Sequence, residues 1–242
     1  MTSAISAISS WQQTESDGNP MPLHVSAPAG NEIFPAMVVI QHQSGVDEFI
    51  QGITRTLAEV GYLAAAPDLY HRDGPNCQDD MRTRSTRLSD RRVIADVGVT
   101  VDFLKRQSNV DAERIGIIGF CMGGRVVYLM AAAIAEFKAA VTFYPGNTSR
   151  AWGRDIPSPF EHTAEIRCPV QGHFGDDDKN PSPEDRAKLD AELTQHGKPH
   201  EFYAYPDAGH AFMDHTKESY RRHAEAAAWP RTLDFLQRHL NG

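Results

Sequence analysis

Hydrophobic and polar positions follow two rhythms along this chain. Short apolar runs at residues 37–40, 62–66, 115–118, 139–143, 169–174 and 201–205 predict six strands, most of them buried. Between them the spacing becomes helical. Residues 47–60 place Phe49, Ile50, Ile53, Leu57 and Val60 on one face, and Gly61 ends the segment. Residues 91–106 do the same with Ile94, Val97, Val101 and Leu104, and residues 123–136 predict a helix after the third strand. Ser182 has the residue type of an N-cap, Pro183 suits the first helical position, and Asp185 follows three residues after the cap, so a helix runs from there to Gly197. A last helix covers residues 220–240 and is expected to kink or restart at Pro230. Strands alternating with helices of this length predict the α/β class: a mostly parallel central sheet covered on both faces. The polar residues 1–20 fall outside the rhythm and read as a mobile arm or an edge hairpin.

Composition narrows the picture. A chain of 242 residues suits one domain spanning 1–242, and 40% hydrophobic with 23% charged residues is a globular balance. No apolar run is long enough to span a bilayer, and a net charge of −8 gives no footprint for nucleic acid or anionic lipid. The three cysteines, Cys77, Cys121 and Cys168, are odd in number and far apart, which argues against a disulfide framework or a zinc site and favours a reducing compartment. Without a basic, apolar leader at its start, the chain is expected to be cytoplasmic, a monomer or homodimer. His162 and His173 fit no standard zinc spacing, so no metal or other cofactor is expected.

In a parallel sheet, chemistry collects at the carboxyl ends of the strands. Directly after the third predicted strand stands Gly119-Phe120-Cys121-Met122-Gly123-Gly124. A glycine two residues before and two after a nucleophile, between strand and helix, is the nucleophile-elbow pattern, here with cysteine. So tight a turn strains the backbone of the nucleophile and leaves room only for small neighbours. The helix that follows aims its N-terminus at the sulfur, stabilises negative charge there, and offers the Met122 amide to an oxyanion. Its partners should follow in the order acid, then histidine. Asp176-Asp177-Asp178 comes after the fifth strand and His210 after the sixth. His210 suits a general base, and one of the three aspartates would orient it, although spacing does not say which.

The stretches VVIQHQSGVDEF, APDLY, GIIGFCMGG, GDDDKNPSPED and YPDAGHAF together resemble the dienelactone hydrolase family of α/β-hydrolases, along nearly all of the chain from Met37 to Leu240. The resemblance implies an α/β-hydrolase fold and a cysteine-dependent hydrolase that opens lactones or cleaves small carboxylic esters through a thioester. It assigns the acid to Asp178 and the histidine to His210. It also implies a glutamate after the first core strand that handles the cysteine's proton; here His42 stands in its place, followed by Gln43, whose amide would complete the oxyanion hole with that of Met122. Four residues after the histidine, where the family binds a substrate carboxylate with arginine, this chain has Asp214, so a neutral or differently charged ester or lactone is expected rather than dienelactone. The second family arginine has no clear counterpart; Arg82, Arg84 and Arg87 read as a solvated face. His42, Asp214 and Tyr144 are expected around the substrate pocket. Trp152 and Phe160 belong to a loop that either covers the pocket or is merely anchored by aromatics. Cys77 and Cys168 have no partner signal. The changed residue at position 42 also suggests an alternative, a non-catalytic ligand-binding or thiol redox-sensing relative, and acyl transfer to an acceptor other than water is a third reading.

Overall fold

Asp17 and Gly18 both take positive φ, 49° and 71°. That is the backbone of a two-residue turn whose twist matches paired strands, and Asp-Gly suits it because neither residue is penalised heavily there. It joins Ala7–Ser16 (β1) to Asn19–Pro28 (β2) in an antiparallel hairpin. Residues 1–20 therefore include the first strand of an edge hairpin and the turn that opens its second. The computed structural model describes residues 5–74 and 76–241.

The remaining strands are Phe34–Ile40 (β3), Leu63–Pro67 (β4), Val110–Phe120 (β5), Phe137–Phe143 (β6), Val170–Gly175 (β7) and His200–Tyr205 (β8). The helices are Glu48–Glu59 (α1), Met81–Ser85 (α2), Asp90–Lys105 (α3), Met122–Ala133 (α4), Pro183–Gln195 (α5) and Arg222–Leu240 (α6). One sheet of eight strands runs in the order β1-β2-β4-β3-β5-β6-β7-β8. Its first two junctions are antiparallel and all others parallel. The six expected strands and the helices between them are present, with ends shifted by a few residues; α2 is an addition.

Alternation along β3 divides the core. Ala36, Val38 and Ile40 join Val93, Val97 and Val101 of α3 and Val126 and Met130 of α4 on one face. Met37 and Val39 join Phe49, Ile53 and Leu57 of α1 and Phe235, Leu236 and Leu240 of α6 on the other. Each of these side chains except that of Ala36 contributes about 1.5–3 kcal/mol on leaving water. Local chemistry sets several helix ends. Asp47 caps α1 by accepting the Ile50 amide, and Ser182 and Asp185 form a reciprocal capping box at α5. The expected break in the last helix is not found: α6 continues through Pro230. One face of α6 is buried at Ala224, Ala228, Phe235 and Leu236 on both sides of the proline, so packing holds the two halves in line despite the missing amide donor. Among the described residues no helix is long and apolar enough to cross a membrane.

Because β3 and β5 to β8 run parallel, the loops following them leave the sheet along one edge. That edge gathers residues 41–46, Cys121, Tyr144, Asp178 and His210.

Candidate active site

Cys121 sits between β5 and α4 with φ 56° and ψ −119°, a conformation that L-residues avoid. The surrounding glycines make the turn possible. A Cβ on Gly123 would lie 2.5 Å from the Ile40 carbonyl oxygen and 2.6 Å from that of Gln41, and one on Gly119 would collide with the Gly123 carbonyl. The Cys121 amide donates to the Phe143 carbonyl at 3.0 Å, which ties the elbow to the neighbouring strand. Cys121 is also the N-cap of α4, so the first-turn amides of that helix face the region around the sulfur.

His210 lies in the loop after β8, and its Nδ1 is 2.8 Å from Oδ2 of Asp178. The structure separates the three aspartates that spacing left equivalent. Asp178 is buried; its second oxygen accepts the Asn180 amide at 2.9 Å. Asp176 and Asp177 are exposed, and Asp176 pairs with Arg186. Burial opposes a charged His210, but the hydrogen bond to Asp178, the neighbouring Cys121 sulfur and the negative charge of both outweigh it and push its pKa up to about 10. The folded value lies above the 6.5 of an ordinary histidine, so this proton stabilises the fold fully below about pH 6.5, and the contribution fades as the pH rises towards 10. Asp178→Asn is expected to lower the His210 titration midpoint, followed by NMR of the imidazole. An unchanged midpoint would refute the carboxylate's role.

The turn after β3 is held from below by a residue that the sequence did not single out. Tyr70 donates its hydroxyl to the Gln43 carbonyl at 2.9 Å and also contacts the Met122 sulfur at 3.6 Å. Arg84 lies over the Tyr70 ring, 4.8 Å from its centroid, and donates to the Tyr70 carbonyl. The turn itself is closed by the Gly45 amide donating to the His42 carbonyl, with Gly45 at φ 90°. Tyr70 thus links the Gln43 and Met122 sides of the elbow. APDLY marks a strand end, but only the fold brings its tyrosine under residue 43.

Gln43, Cys121, Met122 and His210 line one cavity of about 740 Å³, whose outer wall is the loop of residues 146–154. The expected pocket residues His42, Tyr144 and Asp214 are not on its wall. They are buried behind it, each less than 10% exposed. The closed turn after β3 directs the His42 imidazole inward, where Nε2 meets Asp47 at 2.7 Å and Nδ1 stands 4.0 Å from Asp214. Asp214 folds back on its own turn and accepts from the amide and hydroxyl of Thr216. Its carboxylate does not face the cavity, so the argument from Asp214 for a neutral or differently charged substrate in place of dienelactone loses its basis. Tyr144 packs its ring against that of His210, 5.1 Å between centroids, and burial raises the pKa of its phenol strongly.

Other expectations resolve by position. Trp152 is on the cavity wall, whereas Phe160 packs on the core. Arg84 and Arg87 pair with Asp73, and neither they nor Arg82 line this cavity. Cys77 lies beside Asp79 and Arg87, and Cys168 is buried, its thiol pushed up to about 12 by desolvation. His162 meets Glu165, and His173 is enclosed by Tyr205, Gln171 and Thr232. Among the described residues no cluster of three or more His, Cys, Asp or Glu could hold a metal ion.

This mostly parallel sheet, with its elbow after β5, has the α/β-hydrolase fold. A Klebsiella pneumoniae structure assigned as a dienelactone hydrolase is similar to it at TM-score 0.88 and 31% identity, covering 95% of this chain and 98% of that one. The sequence signature of the dienelactone hydrolase family matches residues 23–240, and the chain belongs to that family of hydrolases. A Methylorubrum extorquens protein assigned as a carboxymethylenebutenolidase is 32% identical over 90% of this chain and 77% of its own length. A Bradyrhizobium protein assigned as a 2-oxo-3-(5-oxofuran-2-ylidene)propanoate lactonase is 30% identical over 96% of this chain and 95% of its own.

Proposed function

We propose that this chain hydrolyses lactones or carboxylic esters through a thioester on Cys121, with His210 as acid and base and Asp178 orienting it. The observation that carries the reading is the placement of Cys121 and the Asp178-bound His210 on one cavity wall. The lactonase and butenolidase assignments of the relatives support the substrate class.

The steps follow from the charges. With His210 protonated, Cys121 reacts as the thiolate: sulfur bonds to the carbonyl carbon, and the carbonyl electron pair moves onto oxygen. The Met122 and Gln43 amides are the donors for that oxyanion. Its collapse breaks the carbon–oxygen ester bond, and the departing alkoxide takes the proton of His210; in a lactone that oxygen remains attached as the freed hydroxyl. Neutral His210 then removes a proton from water as it attacks the thioester. Expulsion of the thiolate restores the imidazolium–thiolate pair and releases the acid.

Rapid mixing with p-nitrophenyl butyrate, acid quenching and intact mass measurement is expected to show a butyryl adduct that maps to Cys121 and is released by hydroxylamine. Steady turnover with no adduct on Cys121 under any mixing time would refute the thioester. The alternative of a binding or redox-sensing protein predicts alkylation of Cys121 without turnover.

A further inference from the structure

A second cavity, of about 240 Å³, opens between the segment after β4 and the stretch that runs from α2 into α3. Its wall carries four arginines, Arg72, Arg84, Arg87 and Arg92, and one carboxylate, that of Asp73. The whole chain has a net charge of −8, so this wall is opposite in sign to the molecule around it. A concave cationic wall focuses field lines and gathers anions. No cysteine, serine or histidine lines it, so it cannot repeat the chemistry proposed at Cys121.

The four guanidinium groups differ in how far the protein already satisfies them. One oxygen of Asp73 accepts Nε of Arg84 at 2.9 Å and the other accepts Nη1 of Arg87 at 3.1 Å, so a single carboxylate is divided between two cations. Asp96 neutralises Arg72 from the interior, while Asp17 and Asp79, both half-exposed, pair with Arg72 and Arg87. Arg92 is exposed and, among the described residues, makes neither an ion pair nor a side-chain hydrogen bond. The unused donors are therefore those of Arg92 and Nε of Arg87, both on the exposed side. The deeper pair is fixed in advance: Arg72 by Asp96, and Arg84 by Asp73, by the Tyr70 carbonyl at 3.1 Å and by its place over the Tyr70 ring. A wall arranged before the ligand arrives lowers the entropy lost on binding.

We propose that this second cavity binds the phosphate group of a small soluble ligand, with Arg87 and Arg92 as its direct contacts and Arg72 and Arg84 supplying positive field behind them. A planar carboxylate matches one guanidinium fork, and Asp73 already fills that role. A tetrahedral oxyanion with up to two charges faces forks from two directions at once. The volume lies below the roughly 300–1,000 Å³ of sites for drug-sized molecules, so phosphate with at most a small organic group fits. The site is separate from the catalytic cavity but shares a wall with it. Leu88 lines both, and Tyr70, on the wall of the second, donates to the Gln43 carbonyl at 2.9 Å. Phosphate binding there needs no reaction at Cys121.

Isothermal titration with inorganic phosphate and with glycerol 3-phosphate, at constant ionic strength, tests the site. One saturable site is expected in the wild-type protein. Its Kd should rise about tenfold or more in Arg87→Gln/Arg92→Gln, the scale of lost charge-assisted hydrogen bonds. Asp73 keeps Arg84 as a partner in that variant, and thermal unfolding checks its fold. Arg92→Gln alone removes no internal contact and should also raise the Kd. Arg150→Gln/Arg154→Gln changes the wall of the catalytic cavity instead and is expected to leave the Kd unmoved. Tighter binding of glycerol 3-phosphate than of phosphate supports the site with a phosphate monoester as its ligand; the reverse order supports it with free phosphate. Absence of saturable binding below about 10 mM overturns the assignment. So does a Kd unmoved by the Arg87 and Arg92 substitutions, or a loss of affinity confined to the Arg150 and Arg154 variant.

Discussion

Cys121→Ala is expected to lower kcat/KM for p-nitrophenyl butyrate by at least about 10,000-fold, the scale seen when the nucleophile of a triad is removed. The cavity, the proposed oxyanion amides and the His210–Asp178 pair remain, so binding and some polarisation of the carbonyl should survive. What disappears is the atom proposed to attack. No other thiol can replace it. Cys77 lies beside Asp79 and Arg87 outside the cavity wall, and Cys168 is buried with its thiol pushed up to about 12. His210 can still direct a water molecule, but water would have to reach the carbonyl without the sulfur's position at the elbow. The substitution keeps an L-residue at φ 56°, so the strain of the elbow stays and the fold should survive. Thermal unfolding of the variant checks this point, and the ester assay checks the other. Turnover near the wild-type rate in a folded Cys121→Ala protein would remove Cys121 from the mechanism.

The largest effect on stability is expected from Arg125→Met. Arg125 is fully buried on α4 and holds both oxygens of Asp90, which is 3% exposed at the start of α3. Its guanidinium also bonds the Arg150 carbonyl and covers the Trp152 ring. Methionine restores much of the volume, so the loss is mainly electrostatic: the Asp90 carboxylate is left in the interior with only the Trp152 amide as a donor. Breaking one side of a buried ion pair costs about 3–5 kcal/mol, against a total stability of about 5–15 kcal/mol for a domain. Denaturant unfolding should show that loss. Adding Asp90→Asn should recover part of it, since the uncompensated charge is then gone. A decrease below about 1 kcal/mol, the range of exposed pairs, would mean that water reaches the pair.

Several features of this protein were readable without coordinates, for reasons that are local. The runs at 37–40, 115–118 and 139–143 carry no charge and are apolar except at Thr142, because strands covered on both faces have no solvent side, and that pattern survives any detail of packing. Glycines around Cys121 marked the elbow because only a missing Cβ fits against the Ile40 and Gln41 carbonyls. Residues 1–20 left a mobile arm and an edge hairpin both open, because the exposed edge strand there lacks an apolar pattern to separate the two. Positions that depend on a side chain's direction were not readable. His42, Tyr144 and Asp214 occupy loops on the catalytic edge, which placed them near the cavity, but the closed turn after β3 and the Thr216 bonds turn two of them away from it. Tyr70, Arg150 and Arg154 gave no local signal, because their surroundings come from segments far apart in the chain. The sequence by itself determined the fold class, the elbow and the order of the chemical groups, since each rests on neighbours within a few residues. Which side chains face the cavity was decided only by the tertiary structure, since that depends on contacts such as Tyr70 with Gln43 and Arg125 with Arg150, which exist only once the sheet has assembled.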